Sequence, residues 1–419
     1  MHSEGFKEKY RVAEKAFKRV RVFTFGILLM LMIQKSAKSM QLVLNEFCQK
    51  LKLPLVTSSA YSQARKKVSY EAFIELNEKA IVEVMYGDES YERWKGHRLL
   101  GIDGSKVSLP NEPGILAEFG GWAVNQHSEK LEPVALVSVM YDLLNEIAVD
   151  SQIAQGKRDE VELAMAHLKR TQAGDVLIFD RNYPGYIWLG TLLSRDLHFV
   201  GRCSRGSFQA VRDMFQGQGA DSQVVTLKVP TKHRGTVRQL GLPEKITVRL
   251  IRLTLDSGET EVLITSLLDE NRYPTLEFGP LYFKRWGSET FYDLIKNRLL
   301  LENFTGRTVE AVKQDFFATI YISGLETLLT QEANDQLQDK SAHNQFTQKV
   351  NQAVSFNAIK NHVIELLFTE TDTDRLFAQL TQLFKMKPTA IRPNRSVPRP
   401  KPSAHRSLRF HKRSKKVSF

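Results

Sequence analysis

Apolar residues recur at helical spacing in two early segments, QLVLNEFCQKL (41–51) and SYEAFIELNEKAIVEVMY (69–86). They predict a helical region from residue 1 to about residue 92. Ser69 is the expected N-cap of the second helix, with Glu71 in its first turn. The run VFTFGILLMLMI, Val22 to Ile33, is apolar throughout but only 12 residues long. A membrane span needs about 18 or more, so a buried helix and no membrane partner are expected. The intervening stretch VTSSAYSQARKKV carries Arg65, Lys66 and Lys67. It reads equally as a small helical DNA-binding unit or as a solvated basic helix face.

From His97 the pattern changes. HRLLGIDGSKVSL predicts a strand pair turning at Asp103-Gly104, and PVALVSVMYDLLNEIAVDSQI a hairpin turning near Leu144, Asn145 and Glu146. RDEVELAMAHLKR has the spacing of an amphipathic helix. DVLIFD is a buried strand running up to Asp180. Pro184 then opens a helix, YPGYIWLGTLLSR, and LHFVGRC is another strand. Early strands followed by alternating helix and strand predict a mixed α/β sheet with helices on both faces. From Gly206 to Asp269 the helical period disappears, and VVTLKV, ITVRLIRLTL and EVLITSLL alternate like strands. Helical spacing returns after Tyr282 and lasts to about Lys385. The expected segments are therefore a helical N-terminal domain, read as DNA-binding (1–92), a first core part (93–205), a β-rich insertion (206–272), a second core part that carries Glu289 (273–340), a C-terminal helical region (341–384) and a basic, disordered tail (385–419).

Charge adds one fact to this picture. The net charge is +12, and residues 385–419 hold twelve Lys/Arg and no Asp/Glu; the rest then has 59 − 12 = 47 basic against 47 acidic residues. The proline-rich tail IRPNRSVPRPKPSAHRSLRFHKRSKK is expected to be disordered alone and to condense on a polyanion, nucleic acid being the commonest. Its removal should weaken binding to all DNA sequences alike. Two cysteines, Cys48 and Cys203, make no disulfide framework and point to a reducing cytoplasm. The histidines show no zinc-site spacing, and the glycine-rich FGGWAVNQH, read as a loop containing Trp122, has no phosphate-loop pattern.

The chemistry is concentrated in YFKRWGSETFYDLIK, Tyr282 to Lys296. On a regular helix, at about 100° per residue, Tyr282, Arg285, Glu289 and Lys296 fall within an arc of about 60°. Phe283, Phe291, Leu294 and Ile295 fall on the other side. Guanidinium and ammonium groups suit phosphate oxygens, and a carboxylate among them suits a cation. An Arg285–Glu289 surface pair is the plainer reading, worth a few tenths of a kcal/mol. Asp103 and Asp180, each after an apolar strand, change the balance, because α/β proteins place their sites at strand ends. Either aspartate also has a local reading, as a turn former or a helix cap. Three carboxylates are a donor set for Mg²⁺, and two such ions suit phosphodiester displacement.

The sequence resembles a known family at these positions. The pattern Y-x2-R-x3-E-x6-K is met without exception by Tyr282, Arg285, Glu289 and Lys296. It is the signature of one group of DDE-type bacterial insertion-sequence transposases. IDGSKV is similar to the first-aspartate region of that group, GDVLIFDRNYPGY to the second, and the resemblance covers roughly residues 15 to 335. It implies a ribonuclease-H-like core with a β-strand insertion between Asp180 and Glu289. It further implies Asp103, Asp180 and Glu289 as ligands of two Mg²⁺ ions, with Mn²⁺ as an alternative, and Tyr282, Arg285 and Lys296 as DNA-phosphate contacts. Arg181, beside the second aspartate, is either a further DNA contact or a solvated loop residue. The implied activity is cleavage and rejoining of phosphodiester bonds at element ends, with a hairpin on the flanking strand. The partners would be terminal inverted repeats and target DNA, held by a homodimer on paired ends in the bacterial cytoplasm at the nucleoid. A tyrosine recombinase using Tyr282 as nucleophile would need an arginine and histidine constellation that the sequence lacks. A catalytically silent, transposase-derived DNA-binding protein is the alternative. Trp188 and Trp286 read as core or base-stacking residues and not as catalysts, with Trp286, beside the polar arc, the one placed to stack.

Overall fold

The computed structural model describes residues 1, 3–19, 21–34, 38–87, 90–123, 130–368 and 372–392. The tail expectation lies outside these residues from position 393 onward. Two compact units divide the chain. One takes Met1–Gly87, Val107–Ala135 and the described part of Asp293–Phe419; the other takes Asp88–Lys106 and Leu136–Tyr292. Both are discontinuous in sequence and cut across the six expected segments.

In the first unit the early residues are helical as far as Met85. The apolar run forms the helix Phe25–Ile33, capped by the Thr24 hydroxyl and buried at every position. It packs against Val309–Lys340, a helix of 32 residues. No described helix is long and apolar enough to cross a membrane. Arg65 ends the helix Ser58–Arg65 but is no surface cation: it is 3% exposed, with Nη2 3.0 Å from Asp315. Its Nε donates to Gln314 at 2.9 Å and its Nη1 to Thr305 at 2.7 Å. Only Lys66 and Lys67 of that basic triplet are exposed.

The large sheet has nine strands: β1 (Leu99–Ser108), β2 (Gly121–Ala123), β3 (Leu131–Asp142), β4 (Ile147–Gln155), β5 (Val176–Phe179), β6 (His198–Arg202), β7 (Ser222–Lys228), β8 (Lys245–Thr254) and β9 (Thr260–Thr265). Their order is β2-β3-β1-β5-β6-β9-β8-β7, with β4 paired to β3. β1, β5 and β6 run parallel; β6, β9, β8 and β7 alternate in direction. The sheet is mixed, as the sequence pattern predicts. The β3–β4 hairpin turns where expected, with Glu146 at a positive φ of 53°.

Three expectations are corrected. HRLLGIDGSKVSL is one continuous strand, β1, a neighbour of β3 and paired with β5 over Leu99–Gly101, because its place in the sheet outweighs the local turn tendency of Asp-Gly. The block from Gly206 to Asp269 is not uniformly β: it holds the helices Gln209–Phe215 and Arg234–Gln239. Its strands also extend the main sheet, since β9 pairs with β6 through Val200↔Thr265 and Arg202↔Leu263. Trp122 lies on β2, paired with Glu132, and not in a loop; residues 124–129 of that stretch are outside the described set.

One face of the sheet forms the core of the second unit. Leu99, Val176, Ile178, Val200, Ile251 and Leu263 pack with Phe278, Leu281 and Tyr282 of the helix Phe278–Phe283. Burial of large apolar side chains of this kind stabilises by about 1.5–3 kcal/mol each.

Candidate active site

Strand register brings two of the carboxylates, Asp103 and Asp180, into one neighbourhood. β1 and β5 are parallel neighbours with Gly101 opposite Ile178. Continued two residues past that pair, the same register leads to Asp103 on one side and Asp180 on the other, and the two carboxyls sense each other's charge. Asp103 lies within β1; Asp180 follows the last residue of β5. Asp180 is no helix cap: its Oδ1 accepts from the Asn182 N–H at 2.9 Å, a local turn that fixes the side chain. The next helix begins at Tyr186, after Gly185.

A second layer comes from Trp286–Asp293, the helix that carries Glu289. It is keyed to β1 at two points. The Tyr292 hydroxyl donates to the Asp103 carbonyl at 2.8 Å. Two residues before Asp103, a Cβ on Gly101 would collide with the Ser288 hydroxyl, so only glycine lets the helix approach this closely. Glu289 is a quarter exposed, and Arg285 Nη2 lies 2.8 Å from its Oε1.

The segment is not one regular helix. From Leu281 to Ser288 the backbone is tightened by i→i−3 bonds, such as Arg285 N to Tyr282 O at 3.0 Å and Ser288 N to Arg285 O at 3.0 Å. Leu294–Arg298 then widens into a π turn. Both shift the phase away from 100° per residue. The expected outward polar arc is therefore corrected. Tyr282 and Arg285 are 7% and 8% exposed and face inward, whereas Phe283, expected on the packed side, is 55% exposed. The Tyr282 hydroxyl and the Arg285 Nε are buried without a hydrogen-bond partner. The Arg285 guanidinium lies 5.7 Å from the ring centroids of both Tyr282 and Trp286. Lys296 sits on the π turn, half-exposed, and belongs to the first unit. Arg181 is exposed in the turn after Asp180.

The electrostatics single out Asp103. Burial pushes its carboxyl up to about 7, with Asp180 and Glu160 adding to the rise; Arg285 and the Gly104 N–H pull the other way without prevailing. Burial likewise pushes the Tyr282 phenol up to about 12, so it stays a neutral donor. Glu160, which the sequence reading passed over, is the fourth carboxylate. It opens the helix Glu160–His167. A Cβ on Gly104 would sit 3.1 Å from its Cγ and Cδ. Burial, then Asp180, raise its pKa. A glutamate in the first turn of an amphipathic helix is ordinary, so only the fold could expose its location.

Among the described residues no three His, Cys, Asp or Glu side chains converge as a set able to hold an ion. The donors fit a hard cation by chemistry: they are carboxylate oxygens, and Asp103 and Asp180 are neighbours whose charges oppose each other. Glu289 is engaged by Arg285.

A Ser-His-Asp arrangement lies nearby and is structural. Ser138 is 3.0 Å from His167 Nε2, and His167 Nδ1 is 2.8 Å from Asp150. Ser138 and His167 are fully buried, so no substrate reaches the hydroxyl. The network ties β3, β4 and the Glu160 helix together.

The sequence profile of the family described as "Transposase DDE domain" matches residues 94–323, more than half of the chain. The chain is 25% identical over 272 residues to transposase InsG for insertion sequence element IS4 of Escherichia coli (strain K12), covering 64% of this chain and 60% of that protein. It is 26% identical over 155 residues to putative transposase y4zB of Sinorhizobium fredii (strain NBRC 101917 / NGR234), covering 36% of this chain and 41% of that one. The matches thus span less than two thirds of either relative. A cryo-EM structure of the piggyBac transposase synaptic complex with hairpin DNA aligns over 91% of this chain and 80% of its own at a TM-score of 0.43 and 10% identity.

Proposed function

Because the chain belongs to the transposase DDE-domain family, we propose that it is a DNA transposase, cutting and rejoining phosphodiester bonds at the ends of an insertion sequence. The observation that carries this reading is the pair Asp103, within β1, and Asp180, just past the end of its parallel neighbour β5, with the Glu289 helix keyed to β1. The core is ribonuclease-H-like in this reading. Asp103, Asp180 and Glu289 hold two divalent ions, Mg²⁺ or Mn²⁺, whose chemistry is to make the attacking oxygen nucleophilic and stabilise the leaving one.

The chain's own side chains do the rest. Arg285 exchanges its bond to Glu289 for a phosphate oxygen, which frees the glutamate carboxylate for the cation. The Tyr282 hydroxyl, neutral and without a partner, donates to a phosphate oxygen and does not attack. Lys296 and Arg181 add positive charge along the DNA backbone. The substrates are the terminal inverted repeats and target DNA, engaged by a homodimer on paired ends, in the cytoplasm at the nucleoid.

The test is Mg²⁺-dependent cutting of DNA that carries the element's own ends, comparing wild type with Glu289→Gln. Loss of cutting with binding retained is the expected result. Cutting that persists in Glu289→Gln would reduce the carboxylate to a partner for Arg285 and overturn the reading.

A further inference from the structure

Glu160 is coupled to both aspartates. It opens the helix Glu160–His167, where the Asp159 carboxylate caps by accepting from Val161 N. Its side chain lies against β1 next to Asp103: a Cβ on Gly104 would sit 3.2 Å from its Oε1, and the Gly104 N–H donates to Asp103 Oδ1 at 2.9 Å. Asn182 links it to the second aspartate. The Asn182 N–H donates to Asp180 Oδ1 at 2.9 Å, and the Asn182 side chain favours the charged form of Glu160. All of these residues belong to the second unit. Among the described residues Glu160 forms no ion pair, whereas Glu289 is held by Arg285.

Tyr183, independently, points to a ligand at the same place. Its hydroxyl is fully buried and has no hydrogen-bond partner. Its ring packs against Phe179 and Trp188, with centroids 5.8 Å and 6.2 Å away. Its oxygen lies in the field of Glu160, Asp103 and Asp180, which add to burial in holding the phenol well above its usual range. Leaving such a hydroxyl unpaired costs about 1–3 kcal/mol. A hydrated cation among the carboxylates would supply the partner, because water on a metal donates and a hydroxyl oxygen accepts. The carboxylates do not converge as a set here, and each opposes its neighbours' charge. A divalent ion among them cancels that repulsion.

We propose that Glu160 joins Asp103 and Asp180 in holding one divalent ion before DNA arrives, while Glu289 is still bound to Arg285. Glu289 enters only once a phosphate has taken Arg285. The proposal rests on the transposase reading for the cation, and it adds to that reading a ligand and an order of assembly.

The experiment titrates the full chain with Mn²⁺ alone at pH 8, without DNA. Bound ion is counted from the loss of the free-ion electron paramagnetic resonance signal. Groups that hold or orient a metal's ligands contribute about 10–100-fold each to affinity, so Glu160→Gln should lose at least about tenfold. Glu289→Gln should bind as the wild type does. Tyr183→Phe, which keeps the ring, should lose affinity by a smaller factor. Glu162→Gln, which removes an exposed carboxylate from the same helix, should change nothing. Wild-type affinity in Glu160→Gln overturns the proposal. Equal loss in Glu162→Gln also overturns it, because charge near the site would then suffice. So does a loss in Glu289→Gln as large as that in Glu160→Gln. A marked fall in the melting temperature of Glu160→Gln in chelator would make the residue structural and overturn it too. A wild-type chain that cuts DNA ends yet takes up no Mn²⁺ without DNA overturns the proposal and leaves the transposase reading standing. Unchanged Mn²⁺ affinity in the Asp103→Asn, Asp180→Asn double variant is a different outcome: it brings down the metal site of that reading, and this proposal with it.

Discussion

The Asp103 carboxyl is under two opposing influences: burial favours its protonated form, and Arg285 its charged form. Burial prevails, and the folded chain holds that proton up to about pH 7, whereas the unfolded chain releases it near 3.8. Below both values the group is neutral in either state and costs nothing. As pH rises through this window the folded state loses stability, by up to about 4 kcal/mol above it. In the presence of a chelator, Asp103→Asn should therefore raise the melting temperature clearly at pH 8 and little at pH 4. Equal shifts at both pH values would mean that the charge is not the cause. A divalent ion such as Mg²⁺ that binds only the folded chain stabilises it by mass action. At pH 8 it should raise the wild-type melting temperature and leave an Asp103→Asn, Asp180→Asn double variant unmoved. The sequence offers the two aspartates as candidates through their positions after apolar runs. It gives no such sign for Glu160, whose distinction is contact with Gly104 and the neighbouring charges, not its place in a helix.

At the scale of elements, the approach of the Trp286–Asp293 helix to β1 depends on what Gly101 lacks. Gly101→Ala should push Ser288 away, cost about 1–3 kcal/mol, and lower cutting more than DNA binding. Adding Ser288→Ala removes the colliding hydroxyl, so the double variant should recover part of that loss. Melts and cleavage rates of the two single variants and the double variant check this. The strands themselves were legible because alternation and strand length survive in any context. Two features were not. The continuity of β1 through Asp103-Gly104 is set by its place in the sheet, and no local pattern carries that information. The inward turn of Tyr282 and Arg285 arises from a tightened segment followed by a π turn. A fixed angular period averages such irregularities away. Irregular helix at the candidate site is also where local rules yield to function.

At the scale of the molecule, the late strands were legible as strands but not as a continuation of the main sheet, because their partner β6 is more than sixty residues upstream (265 − 200 = 65 for Val200↔Thr265). Arg65 was misplaced for the same reason: its partner Asp315 is 250 residues away. Arg65→Ala should cost about 3–5 kcal/mol, since it strands a buried carboxylate, and a urea melt of the purified variant checks this. The division of the chain has a consequence for synthesis. The unit that carries Asp103, Asp180 and Glu289 is complete in sequence at Tyr292. The unit begun first is finished last: the nine buried residues of Phe25–Ile33 lack the packing of Val309–Lys340 until that helix leaves the ribosome. The nascent chain thus carries an incompletely covered apolar helix through most of its translation, and a product terminated between those two points would keep its carboxylates while its first unit lacked that helix.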